Sequence, residues 1–187
     1  MEGATINSDG PVSPTSMMIS AHILGALNEQ VGNEFSAMLQ YIAIGAHFDR
    51  ETLPLLSAHF FQQAEEEKVH AHKFIKFILD TGGRVEIPTI PAPHAAFQRA
   101  EEAVKLSLDQ EKKVTAQINH LVQLAKEESD YTTDTFLNWF VREQLEEVSS
   151  MEDLLSIVQR AGEENLLRVE EYLARKGAGA TSATRLP

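Results

Sequence analysis

The 187-residue chain contains no cysteine, and it has only 7 prolines and 10 glycines. Without cysteine, disulfides, thiolate metal sites, iron–sulfur clusters and cysteine nucleophiles are all excluded. Because proline and glycine most often interrupt helices, their scarcity favours long helices. Hydrophobic residues make up 43% of the chain, which is enough for one domain with a full apolar core.

Long apolar runs and an excess of basic charge are also lacking. No stretch of 18 apolar residues occurs, so neither a membrane span nor a membrane partner is expected. Residues 1–16 lack the basic and apolar regions of a signal peptide, so we expect a disordered N-terminal arm and a cytoplasmic location. The net charge of −12 disfavours nucleic acid as a partner and favours cations.

Five helices are predicted from apolar periodicity, capping residues and turn signals. The short links within the first and second pairs of helices predict that each pair is antiparallel, and the stretch 82–94 is long enough to run the length of a bundle. The prediction is an all-α, four-helix bundle over 17–176, with one long crossover, a short fifth helix and a mobile tail at 177–187. The expected helices are 17–47, 52–80, 95–128, 132–160 and 163–176.

Each of the four long helices carries an apolar seam that polar residues interrupt near the middle of the helix. Helices of similar length meet at their midpoints, so these side chains should form one buried layer. Burying several carboxylates together is costly unless cations compensate them, and carboxylates with one imidazole suit iron or manganese. Any one of these residues alone could be an ordinary core polar group, but four coinciding interruptions predict a metal site. The residues are Glu34, Tyr41, Glu67, His70, Glu111, Gln144 and Glu147.

The stretches around these residues resemble the non-haem ferritins, most closely the bacterial ones, over residues 17–176. The resemblance implies a ferritin-like fold and an iron-storage function. Such a protein is a ferroxidase: it oxidises Fe(II) to Fe(III) with O2 or H2O2 at a di-iron centre within one subunit, and it stores the mineral in a homo-oligomeric cage of 24 subunits. The matching stretches are Asn33-Glu34-Phe35 with Tyr41, Glu66-Glu67-Lys68-Val69-His70-Ala71, Asp109-Gln110-Glu111, Glu143-Gln144-Leu145-Glu146-Glu147, and Arg84–Pro88 in the crossover.

The resemblance also implies how two iron ions would be bound. Glu34, Glu67 and His70 would hold the first iron. Glu67 would bridge to the second iron, which Glu111 and Gln144 would complete. Because Gln144 is a weaker ligand than a carboxylate, the resemblance suggests that iron leaves the second position after oxidation and moves inward.

Four further residues are assigned roles by the same resemblance. Tyr41 would form a hydrogen bond near the second iron and assist electron transfer, and Glu66, Glu143 and Glu147 would form a third iron site. The chain has only one Glu-x-x-His motif, because Glu146 stands where a second histidine would be. This departure disfavours bacterioferritins and rubrerythrins, and no haem is expected.

The resemblance places a three-fold pore of the cage near the start of the fourth long helix. Asp130 and Asp134 are candidate pore residues, although either could instead be a helix cap. Leu137 stands where many family members have a second pore carboxylate. Because this carboxylate is missing, the resemblance supports iron entry through the pore less strongly than it supports iron binding at the central site.

Other function classes remain open from the sequence alone. A di-iron oxidase or peroxidase that stores nothing would share the central site without forming a shell. A purely structural helical bundle would bind no metal. A mini-ferritin that protects DNA is disfavoured, because such proteins place their iron ligands across a subunit interface.

Overall fold

The computed structural model describes residues 17–183, with side chains described as far as Lys176. The predicted arm at 1–16 and the final residues 184–187 lie outside this range. Within it, all regular structure is helical and no helix is both long and apolar enough to cross a membrane. The predicted all-α bundle with a fifth helix is confirmed. The elements are α1 (Ala21–Arg50), α2 (Pro54–Asp80), α3 (Ala100–Glu127), α4 (Tyr131–Ala161), a 3-10 turn (Glu163–Asn165) and α5 (Leu167–Ala183).

The four long helices form two antiparallel pairs, α1 with α2 and α3 with α4. In each pair, residues near the end of the first helix contact residues near the start of the second helix. Earlier residues of the first helix contact later residues of the second. This is the pairing that the short links predict. The contacts include Phe48–Phe60 and Phe35–His72 between α1 and α2, and Lys112–Glu152 and Glu101–Gln159 between α3 and α4.

The crossover from α2 to α3 runs beside α1 and in the same direction as α1. Two amide side chains of α1 hold it there. Asn28 donates to the carbonyl of Arg84 (3.0 Å) and accepts from the backbone N–H of Glu86 (2.8 Å). Gln40 donates to the carbonyl of His94 (2.7 Å) and accepts from its N–H (2.9 Å). The bundle therefore has the predicted long crossover, which returns the chain to the far end before α3 begins.

The third helix begins later than predicted, at Ala100 rather than at residue 95. Gln40 bonds both backbone groups of His94 and so holds the residue just before the predicted start against α1. The ring of Phe97 then packs against the rings of His94 and His47, and Arg99 has extended backbone angles. Tertiary contacts thus hold this segment extended, against its local helical preference.

The segment after α4 caps two helices of the bundle. Neither α2 nor α3 has a side-chain cap from its own N-cap residue. Glu170 of α5 accepts hydrogen bonds from the backbone N–H groups of Leu55 and Leu56, at 2.8 Å each, in the first turn of α2. Glu163 likewise accepts from Ala100 (3.0 Å) and from the next N–H in α3 (3.3 Å). A carboxylate at a helix N-terminus satisfies orphan donors and favours the helix dipole, so these contacts fix α5 on the bundle.

Removing the Glu170 carboxylate should destabilise the subunit. We expect Glu170→Ala to lower the free energy of unfolding by about 1–2 kcal/mol, because the first turn of α2 loses its only side-chain acceptor in the described structure. Chemical denaturation followed by circular dichroism would measure the change. The matched control is Glu171→Ala on the exposed side of α5, and equal losses in the two variants would contradict the capping role.

Candidate metal centre

The predicted polar layer lies in the middle of the bundle, between two apolar clusters. One cluster includes Phe48 and Phe60, and the other includes Phe74 and Phe140. Every residue of the four predicted seams is buried or half-buried. The polar interruptions are therefore core positions, as the sequence predicts, and their charges are surrounded by low-dielectric material.

Three of the predicted ligands converge on one point. Ligand atoms of Glu34, Glu67 and His70 all lie within 4.8 Å of one another, and all three side chains are buried. Glu67 and His70 are three residues apart, so they lie on one face of α2, where His70 Nδ1 is 3.3 Å from Glu67 Oε2. Two carboxylates and one imidazole at this spacing form a ready set of ligands for a divalent iron or manganese ion.

The two oxygens of Glu34 have different surroundings. Oε1 accepts a hydrogen bond of 2.8 Å from the amide of Gln30, while Oε2 is buried without a hydrogen-bond partner in residues 17–183. A buried polar atom without a partner costs free energy, typically about 1–3 kcal/mol. A cation beside Oε2 would remove that cost.

Glu111 lies at the centre of a second group. The Tyr41 hydroxyl donates to Glu111 Oε1, and the Gln144 amide donates to Glu111 Oε2 (3.2 Å) and to Thr115 Oγ1 (3.3 Å). The structure thus brings together Glu111 and Gln144, two residues predicted for the second position, and places Tyr41 in hydrogen-bond contact with Glu111 as predicted. In this arrangement Gln144 directs its nitrogen at Glu111, so metal coordination through the amide oxygen would require the amide to turn over.

The three residues predicted for a third site line one pocket of about 480 Å³ between α2, α4 and α5. Glu147 is buried there, and Glu66 accepts a hydrogen bond from Gln63. Glu143 Oε1 lies 3.9 Å from His70 Nε2. Glu143 is therefore next to both the first ligand group and the pocket.

Burial raises the pKa values of the carboxyl groups in the layer. The pKa of Glu34 is raised well above its usual value by burial and then by the charge of Glu67. The pKa of Glu67 is raised by burial and by the charge of Glu111. Burial also raises the pKa of Glu111, although hydrogen bonds from Tyr41 and Gln144 oppose the rise. The metal-free layer therefore retains protons that a bound cation would displace.

Comparison with known proteins assigns the family. The ferritin-like domain model matches residues 24–161 of the chain. The chain belongs to the ferritin family. It is 42% identical to ferritin BfrB of Mycobacterium tuberculosis over 161 residues. The aligned region covers 86% of this chain and 88% of that protein. It is 38% identical over 164 residues to a bacterial non-haem ferritin of Staphylococcus aureus, covering 87% of this chain and 96% of that protein.

Solved structures agree with the family. The fold superposes on an open-pore ferritin from the archaeon Archaeoglobus fulgidus with a TM-score of 0.80 and 32% sequence identity. The match covers 83% of this chain and 97% of the archaeal chain. Both the predicted resemblance to bacterial non-haem ferritins and the predicted bundle are confirmed.

The predicted pore residues of this ferritin lie at the start of α4. Asp130 is the N-cap residue of α4, and its carboxylate accepts from the backbone N–H groups of Thr132 (3.1 Å) and Thr133 (3.0 Å). Asp134 lies in the first turn and is half-buried. Leu137, which the resemblance aligns with a pore carboxylate of many family members, has a side chain that is fully buried in an apolar cluster. The role of Asp130 and Asp134 in a pore stays a prediction.

Several residues at the centre of this ferritin were not predicted as site residues. Gln30 lies one turn before Glu34, and this spacing of four residues was the signal available. The ring of Trp139 contacts the ring of His70 edge-on, with centroids 5.4 Å apart. His59 lines the pocket behind the third group, and burial lowers its pKa to about 4. His59 is therefore neutral near pH 7. Because it does not lie on the apolar seam of α2, nothing in the sequence indicated that it would line the pocket.

The raised pKa values predict how the stability of the metal-free protein depends on pH. Burial, followed by the charge of Glu111, raises the pKa of folded Glu147 to about 7 from its usual value of 4.5. The folded form then binds more protons between these values, so the stability from this group is complete below about pH 4.5 and is lost as pH rises through about 7. Glu34 and Glu67 act in the same direction. The melting temperature of the metal-free protein should therefore fall between about pH 5 and pH 8.

Glu147→Gln should reduce that fall, because the amide does not ionise. The control is Glu152→Gln, which changes an exposed carboxylate on the same helix. Melting curves of the three proteins across the pH range provide the test. A fall that is as steep in Glu147→Gln as in the unaltered protein would show that Glu147 does not contribute.

Proposed function

We propose that this ferritin oxidises Fe(II) at a di-iron centre inside each subunit and stores the ferric product within a cage of 24 subunits. The observation that carries the proposal is the buried group of Glu34, Glu67 and His70 beside Glu111 in a single bundle. A structural bundle would have no use for a buried carboxylate oxygen without a partner, whereas a cation-binding centre needs one.

The ligand groups support two unequal iron positions. Glu34, Glu67 and His70 would bind the first iron. Glu67 would also bridge to the second iron, and Glu111 and Gln144, which are in hydrogen-bond contact, would complete that position. Because the carboxyl groups have raised pKa values, iron binding would release protons from the layer.

The substrate ions supply the electrons for the reaction. Two Fe(II) ions lose one electron each, and O2 takes up these two electrons and two protons to leave as H2O2. With H2O2 as the oxidant, two electrons and two protons break the O–O bond and give two water molecules. The protein fixes the separation of the two ions and excludes bulk water, because apolar clusters close the layer at both ends.

Tyr41 has two roles in this proposal. Its hydroxyl donates to Glu111, which orients that carboxylate toward the second position. Burial and the charge of Glu111 raise the pKa of Tyr41 well above its usual value, so the phenol stays protonated. A buried, protonated phenol next to the second iron is also placed to supply an electron together with its proton.

The pocket between α2, α4 and α5 would receive iron that leaves the centre. Glu143 lies 3.9 Å from His70 Nε2 and lines the pocket together with Glu66 and Glu147. Oxidised iron that leaves the first ligand group would meet this third group of carboxylates next to His70. This adjacency supports a transit site that passes iron to a store, rather than a di-iron cofactor that stays in place.

Removing ligands from the first iron position should abolish rapid oxidation. Glu67→Ala and His70→Ala should each lower the initial rate of aerobic Fe(II) oxidation by about 10²-fold or more, because each removes a ligand that the reaction geometry needs. The rate is followed by ferric-oxo absorbance. His72→Ala, an exposed histidine on the same helix, is the control, and unchanged rates in Glu67→Ala and His70→Ala would refute the site.

Storage requires a shell, which is tested separately from oxidation. Twenty-four chains of 20.8 kDa each would form a particle of about 500 kDa, measurable by light scattering after size exclusion. A monomer or dimer that oxidises iron would instead be a di-iron oxidase without a store. That outcome would retain the centre and refute the cage.

A further inference from the structure

Two amide side chains stand behind Glu34 on α1. Gln30 is 2% exposed, and its Nε2 donates to Glu34 Oε1 at 2.8 Å. Asn33 Nδ2 in turn donates to Gln30 Oε1 at 3.3 Å. Because the Gln30 oxygen accepts from Asn33, its amide nitrogen must face Glu34, and the orientation of the amide is fixed by this contact.

The hydrogen bond from Gln30 selects one orientation of the Glu34 carboxylate. A glutamate carboxylate otherwise turns broadly about its last torsion. Holding Oε1 in the hydrogen bond leaves Oε2 as the buried oxygen without a partner in the described structure. The donor is also neutral, so it orients the carboxylate without adding positive charge that would repel an arriving cation. An arginine or lysine in this place would bind Glu34 but compete with the metal.

The two halves of the centre differ in how their carboxylates are held. Glu111 has two donors, Tyr41 and Gln144. Gln30 is the one amide or hydroxyl among the described side chains that donates a hydrogen bond to Glu34. Losing Gln30 would therefore remove this donor from Glu34, while Glu111 would keep both of its donors.

We infer that Gln30 is a positioning residue that presents Glu34 to the first iron and thereby sets the affinity of the centre for its first metal ion. The inference rests on the proposed function, since it assigns to Glu34 a ligand role. It goes further by locating, outside the ligand set, a residue that controls the order in which the two positions fill. Hydrogen-bond partners of metal ligands commonly change metal affinity by about 10–100-fold.

The test replaces Gln30 with methionine, which has a similar length but no amide. Zn(II) titrated into metal-free protein and followed by calorimetry reports the affinity of each step. The tighter step of Gln30→Met should weaken by about 10-fold or more, while the weaker step should change little. In steady-state oxidation, the KM for Fe(II) should rise more than kcat falls, because the change acts on binding of the first ion.

The matched control is Gln123→Met on α3. Gln123 Nε2 donates to Glu127 Oε1 at 2.7 Å, which is the same four-residue Gln–Glu contact on an exposed surface far from the centre. Equal changes in the two variants would show a general effect on helices and would overturn the inference. Unchanged Zn(II) affinity in Gln30→Met would also overturn it.

Two further variants keep the test decisive. Asn33→Ala removes the contact that fixes the Gln30 amide, so it should weaken the first step in the same direction, and it can be used if Gln30→Met does not fold. No change in Asn33→Ala under those conditions would overturn the inference. Glu34→Ala separates the two levels of the proposal. If it binds Zn(II) normally, the ligand assignment itself fails, whereas loss of binding in Glu34→Ala with normal binding in Gln30→Met rejects only the role of Gln30.

Discussion

The burial of several carboxyl groups at one level of the bundle is the constraint on which the rest of the structure depends. Glu34, Glu67 and Glu111 all have pKa values raised first by burial. In the metal-free protein, this layer can be accommodated only by holding protons or by losing stability. The apolar clusters on both sides keep the layer in a low-dielectric environment, which would also strengthen its attraction for a cation. Stability and function thus compete within the same few side chains.

Helix α1 carries the side chains that hold both the crossover and Glu34 in place. Asn28 and Gln40 hold the crossover to α1 on either side of Glu34 along the chain, and Gln30 holds Glu34 itself. Three neutral amides therefore anchor the backbone and the ligand from one helix. Neutral side chains suit this task because they satisfy polar groups without changing the charge that a cation meets. Glu163 and Glu170 cap α3 and α2, so the C-terminal segment fixes helices that carry three of the candidate ligands.

Much of the fold could be predicted because periodicity and link lengths report it directly. The midpoint polar residues of four seams identified the layer, and all of them lie in the core. What the sequence could not show was tertiary. The start of α3 at Ala100 depends on Gln40 binding His94, a contact between residues 54 positions apart. The burial of Leu137 in an apolar cluster is likewise a tertiary fact, which its place in a family alignment does not reveal.

Within the centre, ligands were easier to predict than the residues that orient them. A buried glutamate interrupts an apolar seam and is visible in the sequence, whereas Gln30 is an ordinary polar residue next to that seam. Its importance appears only when Glu34 Oε1 is seen to be held and Oε2 is seen to have no partner.

The same asymmetry explains how one centre could both capture and release iron. The proposed first position has two carboxylates and an imidazole, with one carboxylate oriented by a neutral amide. The proposed second position includes Gln144, whose amide nitrogen is bonded to Glu111 and would have to turn over before its oxygen could bind a metal. A metal ion there would have to break those hydrogen bonds and would be held less firmly. Glu143 lies beside His70 of the first group and lines a pocket with further carboxylates. In the proposed function, a firmly oriented first position, a weakly held second position and this neighbouring acidic pocket would together favour release of oxidised iron from the centre.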